Sequence, residues 1–260
     1  MGGRPAPYGT GRDAAGHVSW PALRWNQVAA VSSEVLRQAD ARARDEFGIE
    51  PLQLMEIAGW QIARFTETFV SGVGNKRILV VAGSGNNGGD ALVAARFLHQ
   101  RGALVTASIV AAKDPTSLVA RHTATIARLG VRISQAPAGI DPSADIIVDG
   151  LFGTGIRPPL REPAAGIVAA MNATGRPIVS IDVPSGMNAD TGAGAKTAIR
   201  AAATVTLAAP KAGLTRAPNA GRVFVADIGM PAALFSDDRA AIEVIYRAGD
   251  VVELVDPDLV

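Results

Sequence analysis

The sequence predicts an α/β protein: a three-layer αβα sandwich built on a Rossmann-like, mostly parallel sheet, with two N-terminal helices before the first strand. From residue 77 onward, short apolar runs flanked by glycine alternate with segments of helical periodicity. This alternation is typical of parallel strands that are covered by helices on both faces. Because crossovers between parallel strands are right-handed, successive units wind into a Rossmann-like sandwich.

Two amphipathic segments precede the first predicted strand. The first predicted helix spans 32–48, with Ser32 or Ser33 as its cap and Gly48 at its end. The second spans 51–70 and starts at Pro51, whose fixed φ suits a first helical position. We expect both helices to pack over one edge or face of the sheet.

The alternating part then supplies strands and helices in turn. Strands are predicted over 77–83, 103–110, 145–150, 177–183, 203–209 and 221–229, and helices over 90–102, 115–130 and 161–175. Sheets of this kind bind ligands beyond the carboxyl ends of their strands. The loops that follow the strands are therefore the candidate binding segments.

Composition sets the class of protein and excludes several functions. Of 260 residues, 48% are hydrophobic, so the chain can bury a sizeable core, and we predict one domain over residues 31–260. Residues 1–30, whose first part is rich in Gly and Pro, are predicted to be a flexible tail. The net charge of +1 gives no support for nucleic-acid binding, and no apolar run is long enough to span a membrane. Without cysteines there is no thiolate chemistry, and we expect a reducing, cytoplasmic location.

The loop after the first predicted parallel strand reads GSGNNGGD, residues 83–90. It satisfies G-x-G-x-x-G, and a helix beginning near Gly89 could bind a phosphate through free N–H groups. Asp90, in the first turn of that helix, would repel a pyrophosphate. Asn86 and Asn87 offer amide oxygens, which suit a hydroxylated ligand or an alkali cation. A tight turn with only a structural role is the alternative.

The next two loops add further oxygen donors. Asp149 ends the strand 145–150, where it either faces a ligand or caps the turn. Asp182 closes the strand 177–183, and Ser185 follows in a tight turn. No G-x-S-x-G frame surrounds Ser185 and no histidine is placed as its base, so we interpret it as an oxygen ligand rather than a nucleophile. Lys211, after the strand 203–209, either binds phosphate or is solvated.

Four segments in this order resemble the NAD(P)H-hydrate epimerase family, also called the YjeF N-terminal domain family. They are GSGNNGGDALVAARFL, DGLFGTGIRPPLREP, IDVPSGMNADTG and LAAPKAGL, and ADARARDEFGIEPLQLMEIAG resembles the part before them. The resemblance runs from about residue 31 to about residue 231. It implies an isomerase that interconverts the R and S forms of hydrated NADH or NADPH at C6, in repair of the cofactor.

The resemblance also implies partners. A separate ATP- or ADP-dependent dehydratase would restore the S form to NAD(P)H. We find no room for such a domain after the matching segments, so the chain resembles the stand-alone epimerase. Relatives suggest a homodimer. No nucleic acid and no membrane are expected among its partners.

Family roles carry over to matching positions. Asn87, Asp149 and Ser185 would hold a potassium ion, and Asp182 would contact the substrate. The residues expected to bind substrate are Asn86, Asn87, Gly88, Gly89, Asp90, Gly153, Thr154, Gly155, Ile156, Arg157, Pro158, Pro159 and Asp182.

Three positions depart from the family pattern. Ala91 and Ile57 stand where many members have Gly and Asn. Arg157 stands where some have Lys, and a fixed guanidinium is a poor proton donor.

Asp182 is the predicted acid/base residue. Loss of the C6 hydroxyl as water gives an iminium ion, and water can return to either face; both steps move a proton. Two alternatives stay open: a non-catalytic binding module of the same fold, and an NAD(P)-dependent dehydrogenase. Against the dehydrogenase, the acidic residue that its fingerprint requires could only be Asp114, which comes late and past Lys113.

Overall fold

The computed structural model describes residues 11–12 and 18–256. Within them, the strands are β1 Gly11–Arg12, β2 Val18–Ser19, β3 Ala22–Arg24, β4 Arg77–Ala82, β5 Leu104–Ile109, β6 Arg132–Gln135, β7 Ile146–Gly150, β8 Ile178–Ile181, β9 Ala203–Leu207, β10 Arg222–Ala226 and β11 Val251–Val255. The helices are α1 Ser33–Phe47, α2 Pro51–Phe69, α3 Asn86–Gln100, α4 Leu118–Arg128, α5 Ala164–Ala173 and α6 Arg239–Ala248.

Nine strands form one sheet in the order β3-β11-β10-β9-β8-β7-β4-β5-β6. All neighbours are parallel except β10 and β11, which pair antiparallel. The predicted mostly parallel α/β sandwich is therefore confirmed. Each strand predicted from the sequence is present. In the nine-stranded sheet β3, β6 and β11 are additional, and β1 and β2 form a separate pair that was not predicted either.

The strand order reverses beside β4. The chain runs outward from β4 to β5 and β6, then returns to place β7 on the other side of β4. Where such an order reverses, the loops leave the sheet in opposite directions and a crevice opens at the carboxyl ends. This topology places the loop after β4 next to the loop after β7.

The helices cover both faces of the sheet. Along β4, Ile78 and Val80 join a core that includes Phe65 of α2 and Leu92 of α3. Leu79 and the other alternate side chains of β4 join a second core with residues of α5. Because alternate side chains of a strand point to opposite faces, a strand buried on both sides is apolar throughout.

Helix α1 is fixed at its start by side-chain and main-chain bonds. Ser32 Oγ accepts a hydrogen bond from Val35 N at 3.3 Å, as the predicted cap requires. Ser33 donates from N and Oγ to the two carboxylate oxygens of Asp190, at 2.6 and 2.5 Å. Just before the helix, Val31 N donates to Pro210 O at 2.8 Å. The first helix is thus bound to two segments near residues 190 and 210.

The boundary of the predicted tail differs from the structure. Residues 1–10 and 13–17 of that tail lie outside the described residues. Trp20, however, packs on Phe65 and Phe224 with ring centroids 5.0 and 5.3 Å away, and β3 pairs with β11 at the edge of the sheet. Apolar burial and strand pairing therefore bring residues 18–30 into the domain, and short strands come before the two helices.

No helix within the described residues combines the length and apolarity needed to cross a bilayer.

Candidate active site

The carboxyl ends of β4, β7, β8 and β9 open into a cavity of about 640 Å³. This volume is in the range of cavities that hold small-molecule ligands. Polar side chains from the loops after these strands form part of its lining. Apolar side chains from α1, α2, the turn between these helices and the segment after β10 also line the cavity: Leu36, Ile49, Leu54, Met55, Ile228 and Met230.

The glycines of the first loop allow close contact between main-chain segments. A Cβ on Gly83 would overlap the carbonyl oxygen of Leu151, and one on Gly88 would overlap that of Gly83. Neither glycine has a positive φ, so the close main-chain contact, and not a left-handed conformation, is what requires glycine here. The loop is therefore held against the loop after β7. Helix α3 begins at Asn86, earlier than predicted.

Asn87 joins three loops. Its Nδ2 donates to Phe152 O at 2.8 Å and to Ile181 O at 3.2 Å. Phe152 follows β7 and Ile181 ends β8, so one amide in the first turn of α3 fixes the relative positions of both neighbouring loops. The side chain is half-buried and lines the cavity.

Asp149 is completely buried and accepts four hydrogen bonds. Its Oδ1 accepts from Leu151 N at 3.2 Å and from Ser185 Oγ at 2.6 Å. Its Oδ2 accepts from Ser180 Oγ at 2.8 Å and from Ser185 N at 3.0 Å. Burial raises the pKa of Asp149, and these hydrogen bonds oppose the increase. The turn-capping alternative is correct for the Leu151 bond, while the other three bonds connect β7 to β8 and its loop.

Ser185 completes this buried group. Its Oγ accepts from Phe152 N at 2.9 Å and lies 3.2 Å from Phe152 O. Because Asn87 Nδ2 also contacts Phe152 O, the side chains of Asn87, Ser185 and Asp149 form one connected set. The three predicted potassium ligands are therefore brought together.

Asp182 has a strained backbone and a buried cationic partner. Its φ is +69°, which non-glycine residues seldom adopt. Its Oδ1 forms an ion pair with the ammonium group of Lys211 and lies 3.3 Å from the donor Leu207 N. A Cβ on Gly153 would lie only 3.2 Å from Oδ2, so glycine leaves this oxygen room at the cavity.

Lys211 is only 1% exposed, which contradicts the solvated alternative. Its Nζ donates to Leu207 O at 2.7 Å as well as to Asp182. These contacts use two of the three N–H donors of the ammonium group within the protein. Charge compensation of the Asp182 carboxylate is the role that these contacts support.

Two more carboxyls line the same cavity. Asp90 lies on α3 and is 7% exposed. Burial raises its pKa well above the usual range, repulsion by Asp182 and Asp40 adds to the rise, and Lys211 opposes it. Asp40 lies on α1 with a raised pKa, caused first by partial burial; Lys211 lowers this pKa and Asp182 raises it. The cavity is thus lined by three carboxyl groups and by two cations, the buried ammonium group of Lys211 and the guanidinium group of Arg157.

Most, but not all, of the predicted substrate-binding residues face the cavity. Its lining includes Asn86, Asn87, Asp90, Gly153, Thr154, Gly155, Ile156, Arg157 and Asp182. Gly88 and Gly89 are buried beneath it, and a Cβ on Gly89 would overlap the Met55 side chain. Pro158 and Pro159 line a neighbouring, shallower cavity that shares Ile156 and Arg157. Asp149 and Ser185 lie beneath the cavity wall and are completely buried.

Sequence reasoning missed Asp40 and the partner of Asp182. Asp40 follows Leu36 by four residues, so both lie on one face of α1, and Leu36 is buried at the cavity. A carboxyl on the apolar face of a helix was therefore a usable signal. The pairing of Lys211 with Asp182 had no sequence signal, because it depends on the neighbouring positions of β8 and β9.

Asp114, the acidic residue that the dehydrogenase alternative requires, does not line the cavity. Asp114 accepts hydrogen bonds from Thr116 N at 2.8 Å and Thr116 Oγ1 at 2.7 Å, in an exposed turn. It is absent from the cavity lining. Its carboxylate stabilises the turn before α4 and is not available to a ribose.

Comparison with known proteins agrees with this geometry. Residues 51–213 match the family described as YjeF-related protein N-terminus. The chain belongs to this family. The matched segment contains the loops after β4, β7, β8 and β9, and therefore all residues of the connected set. The family resemblance stated from the sequence is confirmed.

Named relatives of this YjeF-related chain extend the comparison. An NAD(P)H-hydrate epimerase of Rhodopirellula baltica is 38% identical over 70% of this chain and 76% of its own length. One from Limosilactobacillus fermentum is 37% identical over 68% of this chain and 86% of its own. A bifunctional NAD(P)H-hydrate repair enzyme of Pyrobaculum aerophilum is 40% identical, and the match spans 36% of its length. The crystal structure of yeast YNL200c superposes with a TM-score of 0.70 at 30% identity, covering 76% of this chain and 88% of the yeast chain.

Proposed function

We propose that this chain is an NAD(P)H-hydrate epimerase, which interconverts the R and S forms of NADH and NADPH hydrated at C6. The observation that carries the proposal is the cavity at the reversal of strand order, where Asn87, Asp182 and the buried pair Asp149–Ser185 converge. Relatives at 37–38% identity that are named as this enzyme support it.

The reacting carbon carries a hydroxyl group and is bonded to the ring nitrogen. Donation of the nitrogen lone pair, with protonation of the hydroxyl, releases water and leaves a planar iminium ion. Water can then add to either face, losing a proton to a base. Two observations support Asp182 as the base: Lys211 compensates its negative charge, and its Oδ2 is near the cavity-lining Gly153. Carboxylates at the cavity also stabilise the positive charge of the iminium ion.

A potassium ion would be held by Asn87, Asp149 and Ser185. The donor set fits this cation, since it supplies one carboxylate together with amide, hydroxyl and carbonyl oxygens and no soft ligand. All four acceptor positions of Asp149 are taken, so binding the ion costs it one hydrogen bond. The bound ion would supply positive charge that holds the loops after β4, β7 and β8 together.

Further parts of the proposal concern partners and location. A separate ATP- or ADP-dependent dehydratase would consume the S form, and bifunctional repair enzymes among the relatives support this pairing. A homodimer and a cytoplasmic location stay predictions; sedimentation velocity measures the first.

The test is the rate of R/S exchange. Purified protein is mixed with one epimer of hydrated NADH, and both epimers are followed by chromatography or NMR. We expect equilibration well above the spontaneous rate, and slower exchange for Asp182→Asn. If wild-type protein leaves the spontaneous rate unchanged, the binding-module alternative replaces the enzyme. Consumption of NADH with a carbonyl substrate would instead favour the dehydrogenase.

A further inference from the structure

The cavity holds a carboxyl group that the mechanism above does not use. Asp40, Asp90 and Asp182 face one ammonium group, that of Lys211. Lys211 forms its ion pair with Asp182. Among the described residues no ion pair or hydrogen bond reaches the side chain of Asp90, which is 7% exposed and lines the cavity.

The helix does not compensate Asp90 either. Asp90 is the fifth residue of α3, and no acidic residue lies in the first turn of this helix. The prediction that Asp90 lies in the first turn of this helix is therefore wrong. The positive end of the helix dipole acts mainly within the first turn.

These surroundings favour a neutral carboxyl at Asp90. Burial disfavours the charged form, and Asp182 and Asp40 repel it further. Lys211 opposes this increase, but the pKa of Asp90 is still well above the usual range. Asp40 differs from Asp90 because its side chain, on α1, is more exposed to solvent. Asp90 and Asp182 thus lie in one cavity with different surroundings, since Asp182 is paired with Lys211 and Asp90 has no partner among the described residues. Two carboxyls in different environments are a pattern that assigns acid and base roles.

We propose that Asp90 is the proton donor to the C6 hydroxyl and that Asp182 is the base that accepts a proton from the incoming water. This role rests on the epimerase function proposed above. The Asp90 carboxyl transfers its proton to the hydroxyl oxygen as the C6–O bond breaks, and the lone pair of the ring nitrogen forms the C=N bond. Water leaves and Asp90 becomes a carboxylate. Water then adds to C6 of the iminium ion, its proton passes to Asp182, and the C=N electron pair returns to nitrogen. The reverse reaction uses Asp182 as donor and Asp90 as acceptor. Before the next turnover in the same direction, Asp182 releases its proton to solvent water and Asp90 takes one up, so atoms and protons balance.

The experiment compares Asp90→Asn with wild type and with Asp237→Asn, an exposed aspartate on the surface. kcat and KM for R/S exchange are measured from about pH 5 to about pH 9. We expect kcat of Asp90→Asn to fall about 10²–10⁴-fold with a few-fold change in KM, the size of general acid catalysis. In wild type and Asp237→Asn, kcat should decrease as pH rises through the raised pKa of Asp90, and this decrease should be absent in Asp90→Asn.

Two outcomes overturn the donor role: kcat of Asp90→Asn within about threefold of wild type, or an effect confined to KM. Carbon-13 NMR of labelled aspartate, assigned with the same variant, reports the proton on Asp90 directly. Titration of this carboxyl in the ordinary acidic range also overturns the role. If wild type and Asp237→Asn do not accelerate exchange, the proposed function fails and the donor role fails with it, while the NMR result still stands.

Urea denaturation separates chemistry from folding. Because the folded state raises the pKa of Asp90, ionisation reduces stability as pH rises from the usual aspartate range through the raised value. Asp90→Asn removes this loss and should be at least as stable as wild type at neutral pH. A folded variant with a large loss of kcat supports the proton-transfer role.

Discussion

Replacing Lys211 with Met should destabilise the protein by about 4–5 kcal/mol at about pH 7. Methionine nearly fills the volume of the lysine stem, so the loss comes from the ammonium group and little cavity is left. Without that group, the Asp182 carboxylate stays largely buried beside Asp90 and Asp40. Breaking a buried ion pair from one side costs about 3–5 kcal/mol.

Protonation of the carboxyl limits this cost. An aspartic acid titrates near pH 3.9 in an unfolded chain, so protonating one costs about 4.2 kcal/mol at about pH 7 and about 1.5 kcal/mol at about pH 5. These two values are upper limits on the electrostatic loss in Lys211→Met at the two pH values, because protonation of Asp182 would remove the unpaired charge. The carbonyl of Leu207 also loses one of its two donors and keeps Ala209 N, at a cost of about 1 kcal/mol. The destabilisation should therefore be smaller by about 2–3 kcal/mol at the lower pH.

The assay is urea denaturation at both pH values, with the double variant Lys211→Met/Asp182→Asn completing a mutant cycle. The double variant should lose less unfolding free energy than the sum of the losses in the two single variants, because no unpaired charge is left. Lys196→Met is the matched control: Lys196 is exposed, and its replacement should change stability by less than about 0.5 kcal/mol. A Lys211→Met variant as stable as this control, or a loss that is independent of pH, would refute the reasoning.

Three further predictions concern the buried set and its loop. Gly88→Ala should destabilise the protein by about 1–3 kcal/mol or more and abolish dinucleotide binding in calorimetry, because the new Cβ would overlap the Gly83 carbonyl. Gly85→Ala should behave like wild type, because a Cβ at that position would have no atom within 4 Å. Ser185→Ala should cost about 1–3 kcal/mol in urea denaturation, since Asp149 loses a hydroxyl donor and Phe152 N loses its acceptor; a change within error would contradict this. Exchanging potassium for choline at equal ionic strength should lower the melting temperature of wild type, and equal melting curves would remove the ion from the proposal.

Much of the fold followed from the sequence. The apolar runs of β4 and β7 are buried on both faces, so composition alone identified them. Ser32 and Gly48 bound α1 as predicted, because cap residues act through bonds within a few residues. The missed elements depend on distant partners: β3 has three residues and is held by β11. Helix α6 was missed although Ile242 and Ile245 have helical spacing, so its signal was available.

The candidate site was predictable in part. The topology of a parallel sheet brings the residues after β4, β7 and β8 to one edge, and the sequence therefore indicated Asn87, Asp149, Asp182 and Ser185 together. Their division into layers was not predictable. Asp149 and Ser185 lie beneath the cavity rather than in its wall, because local hydrogen bonds take up both carboxylate oxygens.

The bonds that fix α1 have a consequence for biosynthesis. Ser33 and its partner Asp190 are 157 positions apart, and the hydrogen bond of Val31 N requires Pro210 O. A ribosome must therefore release about four-fifths of the chain before the helix that carries Asp40 can dock, and contacts so distant in sequence form slowly. Nascent chains that stop before residue 190 would present Leu36 and the rest of that helix's apolar side to solvent, where chaperones bind and aggregation begins.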